Sequence, residues 1–118
     1  MDEQNITKRV LRDDTLVINP GQMLDNNNAH SMAGAIASAQ ASGYKFIIVN
    51  MANLQFLSSA GVGSILGNIE TSREAGGDII LCNASETILH ILGVLDLTDY
   101  LTIKSTEEEA LTLCGVES

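Results

Sequence analysis

Two short runs of apolar residues, at 45–51 and 78–82, constrain the possible folds of this chain more than any other feature of its sequence. Both are rich in β-branched residues, and their length suits strands that are buried on both faces of a sheet. Between the runs, apolar residues recur at the spacing of one helix face, namely at Val62, Ile65, Leu66 and Ile69. A strand, a helix and a second strand in this order predict a right-handed crossover between parallel strands.

The residues before the first run predict a β-hairpin and a helix. Residues 6–11 and 15–18 have the composition of two short strands joined by a tight acidic turn. The first of these strands carries several charged residues, so we expect the hairpin to form one edge of the sheet. The asparagines at 26–28 then offer caps for a first helix, which Gly43 is expected to end.

The second half of the chain continues the alternation of helices and strands. A second helix is expected from near Ala60 to Gly76, where a glycine pair favours a helix end. A third helix and a short strand at 101–103 follow it. Ser105 and Glu108 have the spacing of a capping box, which predicts a last helix after them.

These elements predict a single α/β domain over residues 1–118. The expected architecture is a four- to five-stranded mixed sheet that begins with the N-terminal hairpin, with about four helices packed mainly on one face. A chain of 118 residues can bury a hydrophobic core of its own, so the fold needs neither disulfides nor a metal ion. Cys82 lies within an apolar run and is expected to be a buried core thiol.

The charge balance argues against several classes of partner. The chain carries 15 acidic and 6 basic residues, a formal net charge of −9. Nucleic acids and anionic membranes are also negatively charged, so we expect neither as a partner. The acidity fits a partner protein with a basic surface, and it equally fits a role in solubility alone. No apolar stretch reaches the length of a membrane span and no signal-peptide pattern is present, which predicts a soluble cytoplasmic protein.

Three interpretations as an enzyme or a metal protein fit the sequence poorly. Gly61, Gly63 and Gly67 differ in spacing from the G-x-G-x-x-G pattern of dinucleotide-binding proteins, and they do not directly follow a strand. A serine hydrolase needs a G-x-S-x-G elbow, which the sequence lacks. His30, His90 and the two cysteines are too scattered to form a metal site. We therefore expect no enzymatic activity, no cofactor and no metal ion.

Ser58 and Ser59 stand where a buried strand and a short loop lead into the second helix. A serine at such a point can cap the helix by accepting a hydrogen bond from a free N–H group of the first turn. The same N–H groups and the positive end of the helix dipole also stabilise a phosphate. The pattern alone therefore leaves open whether these serines cap the helix or carry a regulatory phosphoryl group.

The residues after the two serines are small. Ala60, Gly61 and Gly63 leave one side of the second helix nearly bare. Either a partner protein approaches this backbone closely, or the glycines allow the helix to pack tightly within the domain. Both interpretations can hold on different faces of the same helix.

Four segments of the sequence carry distinctive motifs. Residues 21–25 (GQMLD) precede the predicted first helix, and residues 53–63 (NLQFLSSAGVG) contain the two serines. Residues 76–83 (GGDIILCN) contain a predicted strand, and residues 91–97 (ILGVLDL) belong to the region of the third helix. In this order they resemble the G-x-L-D segment before the first helix, the serine-containing loop, the G-G-x-l-x-L-v-N strand and the l-x-x-t-G-L segment of STAS domains, a family whose bacterial members act as anti-sigma-factor antagonists. The glycine of the last segment falls earlier in this chain.

The resemblance implies a binding protein that is controlled by phosphorylation. Unphosphorylated members bind an anti-sigma factor that is itself a serine kinase, and this binding frees a sigma factor. The kinase phosphorylates a loop serine, which breaks the complex, and a serine phosphatase resets it. By position, the phosphoacceptor is Ser59. Ser58, which stands where many members have aspartate, is the second choice.

The resemblance also implies which residues contact the partner. The predicted contacts belong to the start of the second helix and to the loop before the first helix: Ser58, Ser59, Ala60, Gly61, Gly63, Gly21 and Asp25. STAS domains also serve as non-switching subunits of transport or stress-signalling assemblies. That role stays open as the alternative to a switch.

Overall fold

The structure is a computed structural model that describes residues 6–115. Within these residues, seven strands form two sheets. In chain order they are β1 (Thr7–Arg12), β2 (Thr15–Asn19), β3 (Met23–Leu24), β4 (Phe46–Asn50), β5 (Phe56–Leu57), β6 (Asp78–Cys82) and β7 (Thr102–Lys104). The main sheet has the strand order β1-β2-β4-β6-β7, and β3 pairs with β5 in a second, small sheet.

Five helices accompany these strands within the described residues. They are α1 (Ala29–Ala41), α2 (Ser59–Leu66), α3 (Ile69–Glu74), α4 (Glu86–Val94) and α5 (Glu107–Leu113). α1 connects β2 with β4, the pair α2 and α3 leads to β6, and α4 leads to β7. α5 follows the last strand.

The two apolar runs lie at the centre of the main sheet, as β4 and β6. β1 is antiparallel to β2, whereas β2, β4, β6 and β7 are all parallel. The edge hairpin, the parallel crossovers and the mixed α/β sheet are therefore confirmed. The expected strand boundaries agree with the structure to within one residue.

Alternate residues of the central strands serve two different cores, because successive side chains of a strand point to opposite faces. One face packs against α1 to α4 through a large buried cluster that includes Ile47, Val49, Ile79, Leu81, Met32, Ile36, Ile65, Ile69 and Ile88. The other face packs against α5 through a smaller cluster that includes Ile48, Ile80 and Ala110. The helices thus lie mainly on one face, as predicted.

Both cysteines belong to the smaller cluster. Cys82 and Cys114 are buried free thiols, which confirms the expectation for Cys82. Burial raises the pKa of Cys82 to about 12 and the pKa of Cys114 to about 11. Both groups are therefore protonated and poor nucleophiles at neutral pH.

Two arginines of the hairpin region connect β1 to α5. Glu107 Oε1 accepts hydrogen bonds from Arg9 Nη2 at 2.7 Å and from Asn50 Nδ2 at 2.8 Å. Burial disfavours the charged form of Glu107, but these two donors outweigh it, so the pKa of Glu107 is lowered. At the far end of α5, Arg12 Nη2 donates to the carbonyl oxygen of Cys114 at 2.6 Å.

The helix expected from Ala60 to Gly76 is in fact two helices. α2 ends at Leu66 and α3 begins at Ile69, which raises the number of helices from the expected four to five. Hydrogen bonds with α1 stabilise the break between α2 and α3. Gln40 Nε2 of α1 donates to the carbonyl oxygen of Asn68 at 2.8 Å. Asn68 Nδ2 in turn donates to the carbonyl oxygen of Ala33 at 3.2 Å.

Two of the predicted helix caps differ from those in the structure. Asn28 precedes α1 but makes no capping hydrogen bond with its side chain. Its Oδ1 instead accepts from the Asp25 N–H and its Nδ2 donates to the Met23 carbonyl, which fixes the corner before the helix. At α5 the cap is Thr106, whose hydroxyl accepts from the Glu109 N–H, one residue later than the predicted Ser105–Glu108 box.

The C-terminal end of α4 is closed by a residue in the left-handed backbone conformation. Asp96 has φ 62°, and its N–H donates to the Gly93 carbonyl at 2.9 Å. Leu97 N–H donates to the Leu92 carbonyl at 3.0 Å, which completes a Schellman-type helix end. Asp96 thus occupies the left-handed position at which a helix end of this type most often has glycine.

Replacement of Asp96 by glycine is expected to stabilise the fold. Asp96→Gly removes the strain of a left-handed L-residue and an unfavourable negative charge at a helix C-terminus, together worth about 1 kcal/mol. Asp96→Asn removes only the charge and should give a smaller gain. Urea unfolding followed by circular dichroism measures the free energy of unfolding. A loss of stability in Asp96→Gly would contradict this account.

Candidate functional site

The two loops that carry the predicted contact residues meet at one edge of the main sheet. The first loop (residues 21–28) follows β2, and the serine loop (residues 52–59) follows β4. Because β2 and β4 are parallel neighbours, both loops leave the same edge of the sheet. This edge, beyond the carboxyl ends of the parallel strands, is where open α/β sheets usually place their functional sites.

Short parallel strands join the two loops. β3 of the first loop pairs with β5 of the serine loop, with Met23 opposite Phe56 and Leu24 opposite Leu57. Gln22 supplies its carbonyl oxygen to the N–H groups of Gln55 and Phe56, at 2.7 and 3.2 Å. The serine loop is therefore held in a fixed position up to the first residue of α2.

Ser58 is the cap of α2, and Ser59 is the first residue of that helix. The Ser58 Oγ accepts a hydrogen bond from the Gly61 N–H at 3.2 Å, and the Ser58 N–H donates to the Leu24 carbonyl at 3.0 Å. Ser59 is exposed, and within residues 6–115 we find no hydrogen bond to its hydroxyl. The structure therefore gives the two serines different environments. Ser58 caps the helix, and Ser59 presents its hydroxyl to solvent.

The two glycines of α2 have different environments. A Cβ atom at Gly61 would overlap the carbonyl oxygen of Leu24, whereas a Cβ atom at Gly63 would meet no atom within 4 Å. Gly61 thus lets α2 lie directly against the backbone of β3. Gly63 and Ala60 are exposed on the outer side of the helix. Gly61 thus serves packing within the domain, whereas Gly63 leaves an open surface on the outer face of the helix.

The predicted contacts of the first loop are buried. Gly21 has φ 87°, and its N–H donates to Asn19 Oδ1 at 2.9 Å. Asp25 is only 8% exposed, and its Oδ1 accepts from the Asn27 N–H at 2.9 Å. Gly21, Asp25 and Gly61 are thus buried beneath the surface and support the residues exposed on it. Ser59, Ala60 and Gly63 lie on it, with Ser58 partly exposed.

Residues that the sequence did not single out complete the site. Met23 and Phe56 are exposed and lie side by side on β3 and β5. Their exposure could not be predicted, because two-residue strands carry no periodic pattern. In the described part of the chain, no group of three His, Cys, Asp or Glu side chains could hold a metal ion. Among residues 6–115, no helix is long and apolar enough to cross a membrane.

Sequence comparison identifies the family of the chain. Residues 6–110 match the family model described as STAS domain. An anti-sigma F factor antagonist of Paenibacillus polymyxa is 32% identical over 72 residues, which are 61% of this chain and 62% of that protein. One of Lysinibacillus sphaericus is 30% identical over 99 residues, which are 83% of this chain and 84% of that protein.

Structural comparison gives the same family. SpoIIAA, an anti-sigma factor antagonist solved in its unphosphorylated form, superposes with a TM-score of 0.80 at 25% identity, covering 96% of this chain and 99% of that one. SpoIIAA of Bacillus, a cell fate determinant solved in its phosphorylated form, superposes with a TM-score of 0.71 at 27% identity. That match covers 92% of this chain and 98% of the other.

Alanine substitutions at the two glycines are expected to have opposite effects on stability. Gly61→Ala forces α2 away from Leu24 and should lower the free energy of unfolding by about 1–3 kcal/mol. Gly63→Ala meets no obstacle and should raise the same quantity by roughly 0.5–1 kcal/mol, because alanine is the better helix former. Chemical denaturation of both variants checks the prediction. Equal effects at the two positions would contradict the close approach of α2 to β3.

Proposed function

The chain belongs to the STAS domain family, and we propose that it is an anti-sigma-factor antagonist whose binding is switched off by phosphorylation of Ser59. In this proposal the unphosphorylated protein binds an anti-sigma factor that is also a serine kinase, and a sigma factor is released. The observation that carries the proposal is the position of Ser59, an exposed hydroxyl at the first residue of a helix whose cap is a different serine.

The choice of Ser59 over Ser58 rests on their hydrogen bonds. The Ser58 Oγ already accepts from the Gly61 N–H, so a modification there would disturb the cap of α2. A phosphoryl group on Ser59 would lie beside the first turn of the helix, where free N–H groups and the helix dipole favour negative charge. The site therefore tolerates a phosphate without loss of the helix.

Phosphorylation would change the surface and leave the fold intact. The apolar side chains of α2, Val62 and Ile65, point into the core, whereas Ser59 points to solvent. A phosphoryl group adds about −1.5 to −2 charges at neutral pH. Burying that charge against a protein partner without a matched cation is strongly unfavourable. The switch would act by preventing contact, with no rearrangement of the domain.

The proposed contact surface is the exposed part of the site. Ser58, Ser59, Ala60 and Gly63 would touch the partner directly, and Gly21, Asp25 and Gly61 would hold the surface in shape. The partner kinase supplies ATP and magnesium, and a serine phosphatase removes the phosphoryl group. In this scheme the chain acts in the cytoplasm, performs no catalysis, needs no cofactor and contacts neither nucleic acid nor membrane.

Phosphorylation of Ser59 is tested by intact-mass spectrometry after incubation with Mg-ATP and the candidate anti-sigma kinase. One phosphoryl group is expected on the wild type and on Ser58→Ala, and none on Ser59→Ala. Ser58→Ala should fold with a loss of about 1 kcal/mol from the missing cap. Unmodified wild type in a stable complex with the kinase would contradict the switch and favour a non-switching subunit. Modification of Ser59→Ala, but not of Ser58→Ala, would move the acceptor to Ser58.

A negative charge at Ser59 is expected to weaken the complex. Ser59→Asp should raise the dissociation constant at least about tenfold, which corresponds to roughly 1.4 kcal/mol. Ser59→Asn introduces a side chain of the same shape as aspartate but without the charge, and it serves as the matched control. Its dissociation constant should stay within about threefold of the wild-type value. Isothermal titration calorimetry with the anti-sigma factor measures both constants. Equal binding by Ser59→Asp and wild type would refute the charge mechanism.

A further inference from the structure

Met23 carries the accessible sulfur atom of the part of the chain that the structure describes. This residue is 50% exposed, whereas the other sulfur-containing residues of the same part are at most 5% exposed: Met32, Met51, Cys82 and Cys114. Burial also raises the pKa of both cysteines, so neither thiol forms the reactive thiolate at neutral pH. Within residues 6–115, an oxidant in solution therefore reaches Met23 first.

Hydrogen peroxide converts the thioether of an accessible methionine to a sulfoxide. The sulfur attacks one peroxide oxygen, an S–O bond forms as the O–O bond breaks, and water is the second product. The sulfur is oxidised and the peroxide is reduced by the same pair of electrons. The product side chain is polar and carries an oxygen that accepts hydrogen bonds. Oxidation thus changes the polarity of the side chain and leaves its charge at zero.

Met23 lies close to the start of α2. The carbonyl of its neighbour Leu24 accepts the hydrogen bond of the Ser58 N–H at 3.0 Å. The pairing of β3 with β5 places Phe56 directly beside Met23, at the usual spacing between strands of about 4.8 Å. The Met23 side chain therefore belongs to the same surface as Ser59.

The backbone of Met23 is held independently of its side chain. Asn28 Nδ2 donates to the Met23 carbonyl at 2.8 Å. One residue earlier, the carbonyl of Gln22 accepts from the N–H groups of Gln55 and Phe56 at 2.7 and 3.2 Å. Because the backbone is fixed and the side chain is half exposed, a sulfoxide at this position can be accommodated without a change of fold.

We propose that Met23 is an oxidation site, and that its sulfoxide weakens binding of the anti-sigma factor without phosphorylation of Ser59. The inference rests on the proposed function and adds a second, oxidant-dependent modification to the same surface. The thioether gains free energy when it is buried against the partner, and the sulfoxide loses this gain. A sulfoxide oxygen buried in the complex without a hydrogen-bond donor adds a desolvation cost.

The site of oxidation is tested by treating the wild type with limiting hydrogen peroxide and mapping the oxidised peptides by mass spectrometry. Met23 should take up one oxygen atom before Met32 and Met51, which are buried internal controls. Met1, which lies outside the described residues, is quantified as a separate peptide. In the complex with the anti-sigma factor, oxidation of Met23 should slow at least about fivefold, because the partner covers it. Equal rates for Met23 and Met32, or no protection in the complex, would overturn the inference.

The effect on binding is measured by calorimetry with the anti-sigma factor. The oxidised wild type should have a dissociation constant at least about fivefold higher than the untreated protein. Met23→Leu keeps an apolar side chain of similar volume but has no sulfur at this position. Its dissociation constant should lie within about twofold of the wild-type value, both before and after peroxide treatment. Met23→Gln, a polar side chain of similar length, should reproduce the weaker binding without any oxidant.

Reversal of the oxidation is the second readout. Methionine sulfoxide reductases of both stereochemical classes, supplied with dithiothreitol, reduce the sulfoxide back to the thioether as the dithiol becomes a disulfide and water is released. This treatment should restore the affinity of the untreated protein. Thermal unfolding by circular dichroism shows that each variant and the oxidised protein are folded. A loss of binding that persists after reduction, or an equal loss in Met23→Leu, would overturn the inference.

The outcomes separate this inference from the proposed function. If the untreated wild type binds the anti-sigma factor and is phosphorylated on Ser59, but the protein oxidised at Met23 binds equally well, the oxidation inference is wrong and the switch stands. If the untreated wild type does not bind, the proposed function fails and the inference fails with it.

Discussion

The candidate site depends on the close approach of α2 to the backbone of β3. Gly61 has no Cβ atom, so the helix can lie directly on the carbonyl of Leu24, and that carbonyl also accepts the Ser58 N–H. The first loop, the serine loop and the helix start thereby form one rigid unit. Because the Ser58 hydroxyl is used inside this unit, the hydroxyl of Ser59 is the one that remains on the surface.

The elements with a strong local pattern could be predicted from the sequence. β4 and β6 are short apolar runs rich in β-branched residues, which favours buried strands, and the β-hairpin is marked by its turn. The single helix expected from Ala60 to Gly76 was wrong, because contacts from α1 at Asn68 override the apolar periodicity. Such a break depends on residues that are distant in the sequence.

The finer features of the site could not be predicted from local chemistry. As residue types, Ser58 and Ser59 are equally good helix caps. The hydrogen bond from the Ser58 N–H to the Leu24 carbonyl fixes the backbone before the helix, and this determines which of the two serines is the cap. The same ambiguity shifted the cap of α5 from Ser105 to Thr106. The resemblance to a family indicated Ser59. The exposed pair of Met23 and Phe56 could not be predicted, because it depends on the pairing of two residues that lie 33 positions apart in the sequence.

The attachment of α5 has a consequence for how the molecule opens. This helix has seven residues, buries only Ala110, and is held by arginines about 100 residues away in the chain. Segments with so few buried contacts detach at a lower free-energy cost than global unfolding. Acid also weakens the attachment. The pKa of Glu107 is lowered in the folded protein, so the stabilisation that the ionised Glu107 gives to α5 is lost as the pH falls through this lowered pKa. Release of α5 would uncover Cys82 and the apolar back of the sheet while the opposite face, with Ser59, stays folded. Thiol oxidation and aggregation should therefore begin on the back of the sheet, at a stage when the binding surface is still folded.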